Sequence, residues 1–316
     1  GDDAGAQDSC DTDDDCEGSN TCISLLGLTG NYEDGTFSWY HDDVQATSAD
    51  ASTNDMFLIT LEASFEYAWV QTLSEAGNEY ATDLVLSQDG SLFVGGYYSN
   101  SSASYGQSAA FLDCTNTQMP YGSGNGGNGV TYTHGFVSKF TYNAGTHLWS
   151  CAWGNNIVHA NTSQIFSMGY PSLALVEGER YPNSIVLAGW YRCDDAACAI
   201  GGETGTGLRV RSQNTDSQSP EIYSGQTDGL DGFVVHYDAN GNAKVMRKTE
   251  GEANTFLSGV VNRDGGVSAV GTFSRQSETE KTITLPLGIG ASINDVELDE
   301  ENENPDAFVW RFVLEP

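Results

Sequence analysis

One strand-like motif returns along the chain, and its recurrence limits the fold more than any composition figure. Asp231-Gly232-Phe233-Val234-Val235-His236-Tyr237, followed by the turn-like Asp238-Ala239-Asn240-Gly241-Asn242, precedes Val267-Ser268-Ala269-Val270-Gly271-Thr272-Phe273. Asp55-Met56-Phe57-Leu58 precedes Leu92-Phe93-Val94-Gly95-Gly96-Tyr97 in the same way. Phe57 to Gly95 and Phe233 to Gly271 are both separations of 38 residues. A third copy runs from Gly135-Phe136-Val137 to Val186-Leu187-Ala188-Gly189-Trp190, stretched to 53 residues, and the opening strand returns at Asp306-Ala307-Phe308-Val309-Trp310-Arg311-Phe312.

The copies share an internal plan. From Ile23 onward, short apolar-polar alternations are separated by turn signals, and no segment holds a helical period, so the chain reads as all-β. The third unit places strands at 233–237, 243–249, 256–261 and 266–273, with turns at Ala239-Asn240-Gly241-Asn242 and Asn262-Arg263-Asp264-Gly265. The first repeats this at 57–61, 67–73, 82–86 and 91–97, turning at Gln88-Asp89-Gly90. The second does so at 135–141, 147–153, 172–176 and 184–190. Each unit is expected to form one four-stranded antiparallel sheet. Trp69 and Trp149 sit on the second strand of their units, and Met246 takes that place in the third.

The pattern of an Asp-x-Phe-Val strand, an Asx-Gly turn, a Trp-bearing strand and a hairpin ending in Val-x-Gly-x-Tyr or Phe resembles the β-propeller repeat family of surface-exposed, mostly bacterial proteins. The resemblance covers residues 55–313 and implies a β-propeller-like array of four-stranded antiparallel blades, with units at about 55–98, 135–191 and 231–274. A ring must close to hide its edges. Cys22-Ile23-Ser24-Leu25-Leu26-Gly27-Leu28 resembles the outer hairpin of a unit, so 306–313 with 22–38 is expected as a partial blade closing a small four-bladed ring. The competing arrangement is an open array completed by the precursor or a neighbouring molecule. Residues 1–21 form an acidic, cysteine-bearing tail and 22–316 a single domain. Long connections at 99–133, 191–230 and 275–305 are expected contact regions, with Leu208-Arg209-Val210-Arg211 and Ile283-Thr284-Leu285-Pro286-Leu287 adding edge strands.

Charge narrows the function. The net charge is −32, from 44 acidic against 12 basic residues. Such a surface repels phosphate backbones and anionic lipid headgroups, which excludes nucleic-acid binding. It attracts cations and is least costly where salt shortens the Debye length. No apolar run reaches membrane-spanning length. Seven cysteines and two glycosylation acceptors, Asn100 and Asn161, point to an oxidising extracellular or cell-surface setting, in which Gly1 is a processed or truncated start. Cys193 and Cys198 can close a small loop, Cys114 can join Cys151, and Cys10, Cys16 and Cys22 leave one thiol over for another chain or a removed segment.

Candidate chemistry is sparse. Asp11, Asp13, Asp15 and Glu17 alternate as a Ca2+ site would, but Cys16 and Cys22 stand where an EF-hand needs its glycine and terminal glutamate. A solvated acidic tail is the preferred reading, with Ca2+ the one cofactor the composition invites. Asp238-Ala239-Asn240-Gly241-Asn242 reads as a hairpin turn before a metal loop. The acidic run at 297–303 reads as a hydrated loop. Gly122-Ser123-Gly124-Asn125-Gly126-Gly127 lacks the strand and helix a dinucleotide fingerprint needs, and Gly201 to Gly207 lacks the P-loop lysine. The histidines His41, His134, His147, His159 and His236 show no zinc spacing, and no serine sits in a nucleophile elbow. Tyr97, Tyr98, Trp190 and Tyr191 offer rings of the kind that stack on sugars, though their repeat position also suits packing. The sequence points to a secreted, non-catalytic structural or interaction protein of a surface layer, fibre or cell-wall assembly. It would self-associate or bind other extracellular proteins. A carbohydrate-binding propeller is the first alternative, and a secreted hydrolase with facing carboxylates the second.

Overall fold

The computed structural model describes residues 26–33, 36–38, 45–47, 54–61, 67–73, 78–100, 132–154, 166–176, 181–193, 209–210, 230–251, 254–263, 266–274, 282–284, 296–297 and 305–314. These are all-β, with no helix among them.

Four antiparallel sheets make up the body. Sheet I has the order β1 (Leu26–Glu33), β4 (Asn54–Leu61), β5 (Tyr67–Leu73). Sheet II has β6 (Asn78–Leu86), β7 (Ser91–Asn100), β8 (Tyr132–Thr141), β9 (His147–Gly154), with β12 (Arg209–Val210) added at the β9 edge. Sheet III has β10 (Phe166–Val176), β11 (Ser184–Cys193), β13 (Leu230–Tyr237), β14 (Ala243–Lys248). Sheet IV has β16 (Asn254–Arg263), β17 (Gly266–Ser274), β20 (Asp306–Val313). Two small satellites accompany them: β2 (Thr36–Ser38) with β3 (Gln45–Thr47), and β15 (Glu250–Gly251), β18 (Thr282–Thr284), β19 (Val296–Glu297).

The four-stranded sheets are out of phase with the sequence units. Each joins the last hairpin of one unit to the first hairpin of the next, so the grouping expected from the repeat is corrected by half a unit. The cause is a cross-strand pair. Gly30 faces Phe57, Gly96 faces Phe136, Gly189 faces Phe233 and Gly271 faces Phe308. A Cβ on Gly96 would lie 2.8 Å from the Phe136 ring and 2.0 Å from the Tyr80 carbonyl oxygen; one on Gly271 would lie 2.2 Å from the Phe256 carbonyl oxygen. The glycine therefore does two jobs. It admits the phenylalanine of the following unit on one side, and on the other it admits a β-bulge in the preceding strand, placed at Ala81/Asp83, Gly169/Ser172 and Leu257/Gly259. The register also moves the repeat position in the first unit from Gly95 to Gly96.

This pairing decides the ends. Leu28-Thr29-Gly30-Asn31-Tyr32 is a Val-x-Gly-x-Tyr element in disguise and takes Phe57 as its partner, whereas the C-terminal Phe308 pairs with Gly271. β1 and β20 thus belong to different sheets, and the blade expected from 306–313 with 22–38 is not formed among the described residues. Among the described residues, sheet I has no strand corresponding to β6, β10 or β16, and sheet IV none corresponding to β9 or β14.

The sheets stack in chain order. β6 packs on sheet I, β10 on sheet II and β16 on sheet III. Because side chains alternate faces along a strand, sheets II and III feed two cores each. Met56, Leu58 and Trp69 meet Leu92, Val94, Phe136 and Phe140 between sheets I and II. Phe93, Val137 and Trp149 meet Leu173, Leu187, Phe233 and Val235 between sheets II and III. Val186, Ala188 and Val234 meet Leu257, Val267, Trp310 and Phe312 between sheets III and IV. Each fully buried Leu, Val or Phe contributes roughly 1.5–3 kcal/mol.

Candidate functional site

The hairpin turns and the polar groups beside them clamp one sheet to the next. Trp69 donates its indole N–H to the carbonyl of Tyr142, and Gln71 donates to Gly145 O at 3.1 Å, so sheet I holds the β8–β9 turn of sheet II. Tyr142 returns its hydroxyl to Leu61 O at 2.8 Å. One sheet further on, Trp149 donates to Ala239 O at 3.0 Å, Lys139 donates to the same oxygen at 3.2 Å, and Cys151 Sγ lies 3.3 Å from Gly241 O. The second strand of a unit thus carries its tryptophan to grip the next sheet's turn, a role its sequence position alone does not show.

In the third unit the register opposes Val245, not Met246, to the residue that matches Thr60 and Lys139. Met246 instead faces the core between sheets II and III. Among the described residues, sheet IV has no β9- or β14-like strand for such a grip to hold.

A second clamp recurs at the other end of the strands. Asn54 N–H donates to Asn78 Oδ1 at 2.9 Å, and Leu230 N–H donates to Asn254 Oδ1 at 2.8 Å, each across 24 residues. Between sheets II and III, Asp83 Oδ2 accepts from Leu173 N–H at 2.7 Å and Ser172 Oγ at 3.2 Å.

Two His–Ser pairs are the nearest approach to catalytic chemistry. His236 Nε2 lies 3.0 Å from Ser184 Oγ, and Ser184 donates its own proton to Tyr181 O at 2.8 Å. The imidazole is therefore the donor to the serine, the reverse of a general base. Both residues are buried, and burial pushes His236 down to about 4, against a smaller upward pull from Asp238. His147 Nε2 lies 2.7 Å from Ser150 Oγ, which lies 2.7 Å from Ser138 Oγ. Desolvation likewise lowers His147 to about 4. Ser138 and Ser150 are fully buried, so a substrate has no approach to either hydroxyl.

Asp238 is consumed by its turn. Burial would raise its pKa, but hydrogen bonds from Asn242, Lys244 and the Asn240 N–H hold it below the usual value. Its Oδ1 accepts from the N–H groups of Asn240 and Asn242, both at 2.9 Å, and Lys244 pairs with Oδ2 at 3.0 Å. Gly241, at φ 81°, completes the turn.

The other sequence-predicted site residues separate. Tyr98 and Tyr191 are core residues, Tyr191 with its hydroxyl on Asp231 Oδ2 at 3.3 Å, so neither offers a ring face to a ligand. Tyr97 is half-buried and stacked on Tyr80 at 4.7 Å, and Trp190 meets Phe256 edge-on at 5.5 Å. Cys151 is disulfide-bonded. Asn100 closes β7. Cys193 ends β11. Asn161, Cys10, Cys16, Cys22, Cys114, Cys198 and the Asp11, Asp13, Asp15, Glu17 group lie outside the described residues, among which no metal-binding cluster occurs. No helix among them is long and apolar enough to cross a membrane.

One surface stands apart. One place beyond the paired phenylalanines lie Leu58, Val137, Val234 and Val309; the first three are 0%, 0% and 2% exposed, and Val309 is 66% exposed. Val261, Val270 and Val313 are also exposed on this outward side of sheet IV. Composition gave no sign of this surface, because Val309 has the same local pattern as its buried equivalents. Comparison with protein-family models and with curated proteins finds no match, so the chain's function rests on the geometry of these residues.

Proposed function

We propose that the chain is a non-catalytic extracellular structural or interaction protein, a propeller-like array whose long acidic connections and last sheet face meet other molecules. The observation that carries this reading is the core-type face of sheet IV, left open at Val309 where every equivalent position is sealed. A contiguous apolar face on an acidic protein has a binding role as its simplest physical reason. The burial of Ser138, Ser150 and Ser184 supports a non-catalytic role, since each serine is spent on the fold. The disulfide at Cys151 supports an oxidising compartment.

Size analysis of the native, non-reduced protein tests the reading. Higher-order or crosslinked species are expected. A strictly monomeric chain that also crosslinks to nothing in its native surroundings would sink it, as would turnover in a broad glycosidase and esterase screen.

A further inference from the structure

We infer that the seam between sheets III and IV is an acid-opened latch, with His236 as the group whose protonation lets sheet IV part from the body. The inference stands whatever the chain binds. Three places beyond each paired phenylalanine, on the face that meets the following sheet, stand Thr60, Lys139, His236 and Arg311. Lys139 uses that place to reach the Ala239 carbonyl of the next sheet, beside the Trp149 indole on the same oxygen. His236 instead bonds back within its own sheet, to Ser184 on β11. Across from it on β14 stands Val245, where Trp69 and Trp149 oppose Thr60 and Lys139. Among the described residues, this seam therefore lacks the indole grip of the other two. The Leu230–Asn254 bond crosses it at the other end of the strands.

Acid acts where the grip is missing. His236 is 1% exposed, lies directly across from Val186 and shares a face with Val234, both members of the core between sheets III and IV. Tyr181, which packs on that core, meets the imidazole edge-on at 4.9 Å. Because Ser184 gives its proton to Tyr181 O, Nε2 carries the imidazole hydrogen, and Nδ1 is the bare nitrogen, buried with no hydrogen-bond partner. A proton added there creates a buried charge and a donor that faces no acceptor. The charged groups on sheet III are Asp238, which favours that proton, Lys244, which opposes it, and Arg247, which shares the face of Val245 on β14. β10 and β11 bring Val176, Val186 and Ser184 around the ring. Sheet IV turns Leu257, Val260, Trp310 and Phe312 inward, and its Asp306 lies at the Asn254 end, away from His236.

Sheet IV is the part that yields. Sheet III is packed on both faces, whereas among the described residues sheet IV is packed on one. Parting them hydrates the imidazole and returns it from about 4 to its ordinary 6.5. The open form then binds a proton that the closed form does not, so opening gains ground as pH falls below 6.5 and levels off near 4.

Hydrogen exchange read strand by strand on the full chain, corrected for the intrinsic rate at each pH, tests this. Amides of β16, β17 and β20 should share one protection factor, lower than that of β7 and β8, and it should fall about twentyfold between pH 7 and pH 5. Return to pH 7 should restore it. His236→Gln should remove the fall, whereas His147→Gln, which changes a histidine of sheet II, should leave it as in the parent. Equal protection in sheet IV and in β7 and β8 overturns the inference, and that comparison needs the parent alone. A fall that survives His236→Gln, or that His147→Gln removes, overturns it as well.

Discussion

Sheets III and IV are built from the same repeat and live in different surroundings. Val234 on β13 and Val309 on β20 follow the same phenylalanine, face the same way and oppose equivalent residues, Ala188 and Val270. Val234 is sealed by β16 at 2% exposure, whereas Val309 stands 66% exposed. Local sequence is almost the same at the two places. What differs is that among the described residues a following sheet covers Val234 and none covers Val309, so burial here is set by position in the stack and not by the strand itself.

The sharpest way to break this comparison is to place the same charge at both points. Val234→Asp should cost on the order of 4 kcal/mol or prevent folding, because a carboxylate would enter the seam between sheets III and IV. Val309→Asp should stay within about 0.5 kcal/mol in the monomer. Urea denaturation at low protein concentration measures both, and equal effects would show that the two faces are not distinct.

Acid probes the covered region next. His236 and His147 are held neutral, at about 4 in the folded chain against 6.5 for the free side chain. Between those values the unfolded chain binds the proton and the folded chain does not, so stability falls as pH drops from 6.5 to 4. For His236 alone the loss is on the order of 3 kcal/mol. Asp238, held below its usual value, adds a loss at lower pH, as the folded carboxylate is finally protonated. His236→Gln should flatten the slope of unfolding free energy against pH in that window; an unaltered slope would show that His236 titrates normally.

The glycine–bulge contact separates sheet joins from turns. Gly271→Ala should cost about 2–3 kcal/mol, because its Cβ would sit against the Phe256 carbonyl. Gly96→Ala should behave alike against Tyr80, and calorimetric melts compare the two. The smallest effect belongs to the asparagine clamps. Asn78→Ala and Asn254→Ala should each cost about 1 kcal/mol, and a difference between them would show that the seams between sheets I and II and between sheets III and IV are not held alike.

Much of the strand content was legible. The opening strands β4, β8, β13 and β20 and the turns ending at Gly90 and Gly241 fall where alternation and Asx-Gly signals place them. The short edge strand at Arg209–Val210 lies within, and the strand at Thr282–Thr284 overlaps, a segment singled out for its alternation or apolar residues. Partner choice was not legible. A period gives the order of strands, but whether a hairpin pairs with the hairpin before or after it depends on long-range contacts such as Phe136 against Gly96. The strand at Leu26–Glu33 falls in the segment likened to the outer hairpin of a unit, but its Gly30 pairs with Phe57 and not with the strand at 306–313. Tyr98 and Tyr191 were offered as ligand platforms, yet each turns inward, since the residue two places beyond the glycine shares its face. The asparagine clamp could have been found as a residue recurring 24 positions after the start of the opening strand.

The half-unit offset between repeat and sheet has a consequence for chain integrity. Sheet I and sheet II are joined covalently through residues 74–77, while the Trp69 grip, the Tyr142 hydroxyl and the Asn54–Asn78 bond cross the same seam without using that connection. Two polypeptides divided within 74–77 are expected to find each other and rebuild the seam. Co-expressed halves that elute as a single particle, and part only in denaturant, would show that the clasp survives a severed chain.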